Sequence, residues 1–414
     1  MSEWPLVSLA DLAAPTPNSL ATGPFGSSVG AKYFRTSGVP LIRGSNLSVD
    51  VGRRLLDEQV VYLDLEKAAE FQRSQAVRGD LVFTCWGTIG QVGLIDGRAR
   101  FDRYIVSNKQ MKLTPDPARV DPLFLYYALS SPRMVAAVQA IAIGSSVPGF
   151  NLSQLRQVAV VLPSPREQHA IAEVLGALDD KIEANRRNVT LVSDFIAATW
   201  LGCFGLSSDS GWPTTPVGDL ASVVGGSTPS TKVADFWDGT IAWATPRDLA
   251  RLSSAPLLDT ERHITELGLQ QISSGLLPVG TVLLSSRAPI GYLAIAEVPL
   301  AVNQGFIALV AGGRVSNLYL WQWLRSHLDE VISRANGTTF LEVSKANFRP
   351  MPIEVPPEGL MRSWTASAAT QYRLIVAKEQ ESGRLTQLRD TLLPKLLSGE
   401  LRVRDAEALA EEAV

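Results

Sequence analysis

The sequence predicts an α+β protein: two repeated units separated by two long antiparallel helices that form a coiled coil. Three observations carry this reading. Five segments recur in order, at offsets that drift only from 208 to 193 residues. The stretch 166–199 places its seam residues at alternating steps of four and three. Short β-branched and aromatic runs bounded by glycine punctuate the remainder.

The repeat comes first. Residues 4–12 open on a tryptophan and return as 212–220, and 39–47 return as 241–249. Residues 79–90 match 280–291, residues 106–110 match 301–305, and Gly144-Ser145-Ser146 matches Gly337-Thr338-Thr339. A period near 200 means duplicated domains rather than a solenoid of short repeats. Boundaries follow at 1–163 for the first unit and 164–205 for the central helix. The second unit takes 206–358, its helix 359–403, and an acidic tail 404–414.

The seam of the first helix consists of Ile171, Leu175, Leu178, Ile182, Asn185, Val189, Val192 and Ile196, with Thr199 completing the series. That is the 3.5-residue period of a coiled coil, and such a stripe requires a second helix to bury it. Residues 363–397 supply one, with Leu385, Leu388, Leu392 and Leu396 in seam spacing and Gly399 as a stop signal. Lys378 and Glu381 also fall on this second seam, and Asn185 is the candidate for setting register. Between the helices, 80–84 and 280–285 read as strands, while 122–130 and 318–327 read as helices. The aromatics of those helices, Phe124, Tyr126, Tyr127, Tyr319, Trp321 and Trp323, read as core.

Composition narrows the function. A chain of 414 residues with 46% hydrophobic and 19% charged residues is an ordinary globular one. No apolar run approaches the roughly 18 residues of a membrane span, and no secretory leader opens the chain, so a cytoplasmic location is expected. Two cysteines, 85 and 203, and three histidines, 169, 263 and 327, provide no metal-ligand cluster. There is no Walker loop, no H-E-x-x-H and no dinucleotide fingerprint. Gly26-Ser27-Ser28-Val29-Gly30 fits G-x-S-x-G, but loop residues flank it where a nucleophile elbow needs a strand and a helix. No catalytic and no metal site is expected.

The net charge of −3 is unlike a basic nucleic-acid domain, yet residues 1–165 carry 16 Lys+Arg against 13 Asp+Glu. Residues able to grip phosphates or read base edges gather near glycines. In the first unit these are Ser27, Ser28, Lys32, Arg43, Ser45, Asn46, Arg53, Arg54, Trp86, Thr88, Arg98, Arg100, Arg103, Asn108 and Lys109. Stretch 98–112, with four net positive charges, is the densest patch. In the second unit they are Ser227, Thr228, Lys232, Trp237, Thr245, Arg247, Arg251, Ser286, Arg287, Asn303, Gln304 and Lys345. The competing reading, drawn from the low net charge, is a protein–protein scaffold whose tryptophan-rich units bind peptides.

Several stretches resemble the specificity subunits of type I DNA restriction–modification enzymes. They are TGPFGSS at 22–28, VPLIRGSN at 39–46, PSPREQHAI at 163–171, GSTP at 226–229, FWDG at 236–239, LPVGTVLLSSRAPIG at 277–291, NQGF at 303–306 and LPKLLSGEL at 393–401. The likeness covers about residues 4–403, in order and twice over. It implies two target-recognition domains, each reading one half of a bipartite, asymmetric site in double-stranded DNA. It also implies a non-catalytic subunit docking two methyltransferase (modification) subunits and restriction/translocase subunits, with S-adenosylmethionine, ATP and Mg on those partners. One departure stands out. The second helix opens PEGLMRSW at 357–364, without the Glu-Gln pair of the first.

Overall fold

A computed structural model describes residues 4–142, 149–205, 211–337 and 341–413. The matched triplets at 144–146 and 338–339 lie outside the described residues. The chain divides into two compact units, Met1–Glu183 with Gly383–Val414, and Ala184–Ser382. Each unit therefore holds one repeat together with half of each long helix.

The first unit contains β1 (Leu6–Ser8), β2 (Leu20–Thr22), β3 (Val39–Ile42), β4 (Val61–Leu63) and β5 (Gln75–Val77). It continues with β6 (Leu81–Thr84), β7 (Val92–Leu94), β8 (Arg103–Val106), β9 (Gln110–Leu113) and β10 (Ala159–Val161). Strands β2-β9-β6-β7 form one antiparallel sheet, β4-β3-β8-β5 a second with β3 and β8 parallel, and β1 pairs with β10. Alternation along β6 explains the layering. Leu81 and Phe83 face the helices, while Val82 faces the second sheet with Ile42, Tyr104 and Val106.

The second unit follows a related plan, with a five-stranded and a three-stranded sheet in place of the two four-stranded ones, and contains β11 (Thr214–Pro216), β12 (Ala221–Val224), β13 (Trp237–Ala244), β14 (Pro256–Leu257) and β15 (Arg262–Ile264). Then come β16 (Val282–Ser286), β17 (Ile290–Ala296), β18 (Leu300–Val302), β19 (Phe306–Ala311) and β20 (Pro352–Glu354). Val282 and Leu284 face the helices and Leu283 the other way, as in β6. Glycines of the repeat keep their left-handed backbone. Gly79 and Gly280 have φ of 94° and 86°, and Gly90 and Gly291 have φ of 101° and 111°.

Hydrogen bonds correct one match by a residue. The Ser107 amide donates to the Ile42 carbonyl and the Asn303 amide to Ala244, so Asn303 corresponds to Ser107 rather than Asn108. The aromatics of helices Pro122–Ser130 and Asn317–Ser326 are buried, as periodicity predicts.

The first long helix runs Pro165–Trp200, with Ser164 and Glu167 bonding reciprocally at its start. The second runs Glu358–Ser398, starting one residue before the expected boundary at 359 and five before the 363–397 candidate. In the first unit, Ile171, Leu175, Leu178 and Ile182 share a core with Leu385, Leu392 and Leu396, and Leu388 packs at its edge. In the second unit, Val189, Ile196 and Trp200 share one with Trp364, Ala368, Tyr372 and Ile375, and Val192 packs at its edge. The start of one helix thus meets the end of the other, which is antiparallel pairing. Lys378 and Glu381 are only partly buried and form an ion pair of 2.7 Å. The missing Glu-Gln pair has a structural counterpart. Gln168 is buried and bonds the Pro163 carbonyl and the Asp121 amide, whereas the second helix places Met361 there, bonded only through its backbone. Residues 403–413 are not a loose tail. They form helix Val403–Ala413, which packs Val403, Ala406 and Ala410 on the first unit's core. No described helix is long and apolar enough to cross a membrane.

Each repeat fastens to the helices at corresponding positions with different chemistry. In the first unit, Asp179 lies 2.9 Å from Arg389, 2.5 Å from the Tyr127 hydroxyl and 3.7 Å from Arg54. Arg54 also pairs with Asp96 at 2.6 Å. In the second unit, Glu297 stands where Asp96 does and accepts a 2.6 Å bond from Tyr372. Burial raises the Glu297 pKa, with the Tyr372 hydroxyl acting against it, and burial followed by that carboxylate raises Tyr372 well above its usual value.

Asp179→Ala leaves two buried guanidiniums without their shared counter-charge, and urea unfolding should show a loss of about 3–5 kcal/mol. Since Glu297 has a raised folded-state pKa, its protonated form favours the folded chain, and stability rises as pH falls through that pKa. The wild type should therefore gain stability relative to Glu297→Gln as pH is lowered from neutrality, measured as Tm against pH.

Candidate nucleic-acid interface

In the first unit, four loops at the strand ends converge on one open cleft of about 660 Å3. They follow β2, β3, β6 and β8, and they bring Arg43, Ser45, Trp86, Thr88, Asn108 and Lys109 together. Six sequence-predicted residues from three separate stretches of chain thus share one surface. Glycine makes the convergence possible. A Cβ on Gly23 would lie 1.8 Å from the Ser107 carbonyl oxygen, and one on Gly226 would lie 1.6 Å from that of Val302. In both units the loop after the first sheet strand is thereby pressed onto the turn that carries Asn108 or Gln304.

Other predicted residues are spent on structure. Asn46 is buried, accepts from the Arg43 amide and donates to the carbonyls of Leu56 and Gln59, so it shapes the loop and cannot reach a base. Arg54 is committed to Asp96 and Asp179, and Arg53 lies 3.4 Å from Glu58. The basic patch 98–112 is dispersed. Arg98 pairs with Asp180 on the long helix, Arg100 bonds the Glu58 carbonyl, and Arg103 is exposed at the start of β8. Of the predicted residues in that patch, Asn108 and Lys109 line the cleft. Lys32 is exposed, its Nζ 4.8 Å from the Tyr33 ring, and Ser28 is exposed in the turn Gly26–Val29. The Ser27 side chain lies outside what the structure describes.

The second unit assembles the corresponding loops. Thr228 donates to Gln304 at 2.6 Å, the Ser286 amide donates to the Gly305 carbonyl, and the Ser227 hydroxyl donates to Gln271. Asn303 accepts from the Gly305 amide, and Thr245 caps its helix through Asp248. Ser286 is buried, Lys232 is exposed, and a Cβ on Gly225 would lie 3.0 Å from the Lys345 Nζ. Arg247 and Arg251 approach Glu261 at 4.0 and 2.7 Å, and Arg287 approaches Glu342 at 3.5 Å. Trp237 is buried edge-on to Trp243, and Arg262 lies 3.5 Å from the Trp237 ring centre.

Sequence reasoning missed Phe34, Thr84, Gln91, Ser107 and Gln110 on the cleft wall. Ser107 and Gln110 lie inside a recurring segment, so the repeat marks their place although it says nothing of their role. Beside the cleft, burial pushes the Cys85 thiol up to about 11, which keeps it protonated and non-nucleophilic. Among the described residues no group of three or more His, Cys, Asp or Glu could hold a metal ion.

The family model described as the type I restriction modification DNA specificity domain matches twice, over residues 39–191 and 209–359. The chain is 39% identical over 147 residues to the type I restriction enzyme MjaIX specificity subunit of Methanocaldococcus jannaschii, an alignment spanning 35% of this chain and 34% of that one. It is 21% identical over 379 residues to the HindI specificity subunit of Haemophilus influenzae, spanning 72% and 82%. The S subunit of a type I restriction-modification system from M. genitalium shares its fold, with a TM-score of 0.60 at 17% identity over 95% of this chain and 96% of that one.

If Asn46 builds the loop rather than reading DNA, Asn46→Ala should cost about 1–3 kcal/mol of stability in urea unfolding, because it strands two buried carbonyls and an amide.

Proposed function

Because the chain belongs to the type I restriction–modification DNA specificity family, we propose that it is a DNA-reading subunit in which each unit recognises one half of a bipartite site. One observation carries this reading. The same four loops meet at the same strand ends in both units, and in both they present amide, hydroxyl and basic side chains. Phosphate contacts from Lys109, Lys32 and Lys232 supply affinity, and the amides and hydroxyls between them supply readout. Different residues on equivalent loops make the two half-sites different sequences.

The long helices set the spacer between half-sites and dock two modification subunits, with Asn185 fixing the register. Asn185 is buried on the seam, where a polar residue specifies alignment at a cost in stability. Leu191 and Phe195, 66% and 52% exposed one turn apart on the first helix, support docking of a partner there. Methyl transfer and cleavage, with S-adenosylmethionine, ATP and Mg, belong to those partners in the cytoplasm. This chain is non-catalytic.

Methylome sequencing of the host with and without the gene tests the reading. The expected result is loss of one split adenine-methylation motif, and an unchanged methylome would refute it. Salt titration of DNA binding separates this reading from a peptide-binding scaffold, because phosphate contacts give a steep dependence on salt. Inserting seven residues into both helices should lengthen the spacer by about three base pairs, since roughly 10 Å of helix matches three 3.4 Å rises.

A further inference from the structure

Base edges in a duplex lie recessed in grooves and are met by protruding elements, such as a helix or β-ribbon. The first unit presents the opposite shape. Its cleft of about 660 Å3 falls in the range that encloses a small ligand, and its contents suit a flat polar ring. Phe34 and the half-exposed Trp86 line it as aromatic walls, and Asn108 and Lys109 stand exposed at its rim. The Arg43 guanidinium lies 5.6 Å from the Phe34 ring centre.

The floor is the telling part. Gln110 is fully buried in β9, and its Oε1 accepts from the Ser107 hydroxyl. Its Nε2 has no hydrogen-bond partner among the described residues. The neighbouring Gln91 has both ends of its amide occupied, by Thr84 and by the Leu47 carbonyl. A Cβ on Gly44 would stand 3.6 Å from Gln110 Nε2, an ordinary contact distance, so the Gly44 backbone borders the donor on the cleft wall. A buried donor is costly unless something accepts from it. The second unit lacks the device. Thr84 pairs with Gln110 where Ser285 pairs with Phe306, so an aromatic hydrocarbon occupies the position of the amide.

Resting on the DNA-reading function above, we propose that this cleft takes one unstacked nucleobase out of the duplex and recognises it through a ring carbonyl that accepts a hydrogen bond from Gln110 Nε2. Thymine O4 and guanine O6 are such carbonyls on the major-groove edge, where adenine and cytosine carry an amino group. Trp86 and Phe34 supply the stacking that replaces the lost base neighbours, and Lys109 meets the adjoining phosphate.

The test uses the full chain and short duplexes at low salt, where phosphate contacts hold any sequence. A fully paired duplex is compared with versions carrying a single bulged thymine, guanine, adenine or cytosine, for which the cost of unstacking is already met. Bulged thymine and guanine should bind about tenfold tighter than the paired parent. Gln110→Leu should bring that ratio to one, and Trp86→Ala, at an exposed position that leaves the core intact, should reduce it as well. Equal binding of bulged and paired duplexes by the wild type would overturn the base pocket while leaving DNA reading in place. Preference for adenine or cytosine would overturn recognition through a carbonyl on the major-groove edge. Absence of binding to every duplex would overturn the DNA reading itself, and the pocket with it.

Discussion

Two apolar stripes, each too long to be covered by anything local, constrain the rest of this molecule. A helix of 36 residues with an aliphatic residue at nearly every seam position is unstable alone in water, because burial of its stripe is what stabilises it. The duplication supplies the cover, since a second unit must end in a second helix. Once the pair forms, each repeat is held where its β1–β10 or β11–β20 ribbon and its aromatic helix pack on a helix segment. Leu385 and Leu392 are as fully buried as any residue in the sheets.

Within that frame the two units solve the same attachment problem differently. The first buries an ionic cluster, in which Asp179 is shared by Arg389 from the other helix and Arg54 from the recognition unit. Such a cluster adds little net stability over a hydrophobic one, but it demands one geometry, because each charge is costly without its partners. The second uses uncharged donors, Tyr372 on Glu297, Ser254 on Glu379 and Thr365 on Ser316, beside an aromatic core of Trp200, Phe204, Tyr319 and Trp364. The backbone plan is related in the two while the side-chain chemistry has diverged. The same is true at the loops, where Gln110 corresponds to Phe306 and Trp86 to Arg287.

Glycines preserve the plan. Gly23 and Gly226 admit no side chain at all, because a neighbouring carbonyl occupies the space. This fixes the loops onto one another and leaves the intervening residues free to vary without loss of the fold. A recognition surface needs that combination of rigid frame and variable content.

The duplication, the strand runs and the seam were legible in the sequence, because periodicity and repetition are one-dimensional signals. Part of the cleft lining was legible too, since Arg43, Ser45, Trp86, Thr88, Asn108 and Lys109 converge although they are scattered over some 70 residues of chain. What residue type could not reveal was which polar groups are already spent. Arg98 is bound to Asp180, 82 residues away, and Asn46 to three backbone groups of its own loop, through partners that only the folded chain brings into place. The helical form of residues 403–413 was also decided by tertiary contact, since their apolar residues acquire a face only once a core exists to receive it. Gln110 shows the limit most plainly. Its identity is read directly from the sequence, but its unsatisfied amide exists only because folding has buried it beneath Gly44.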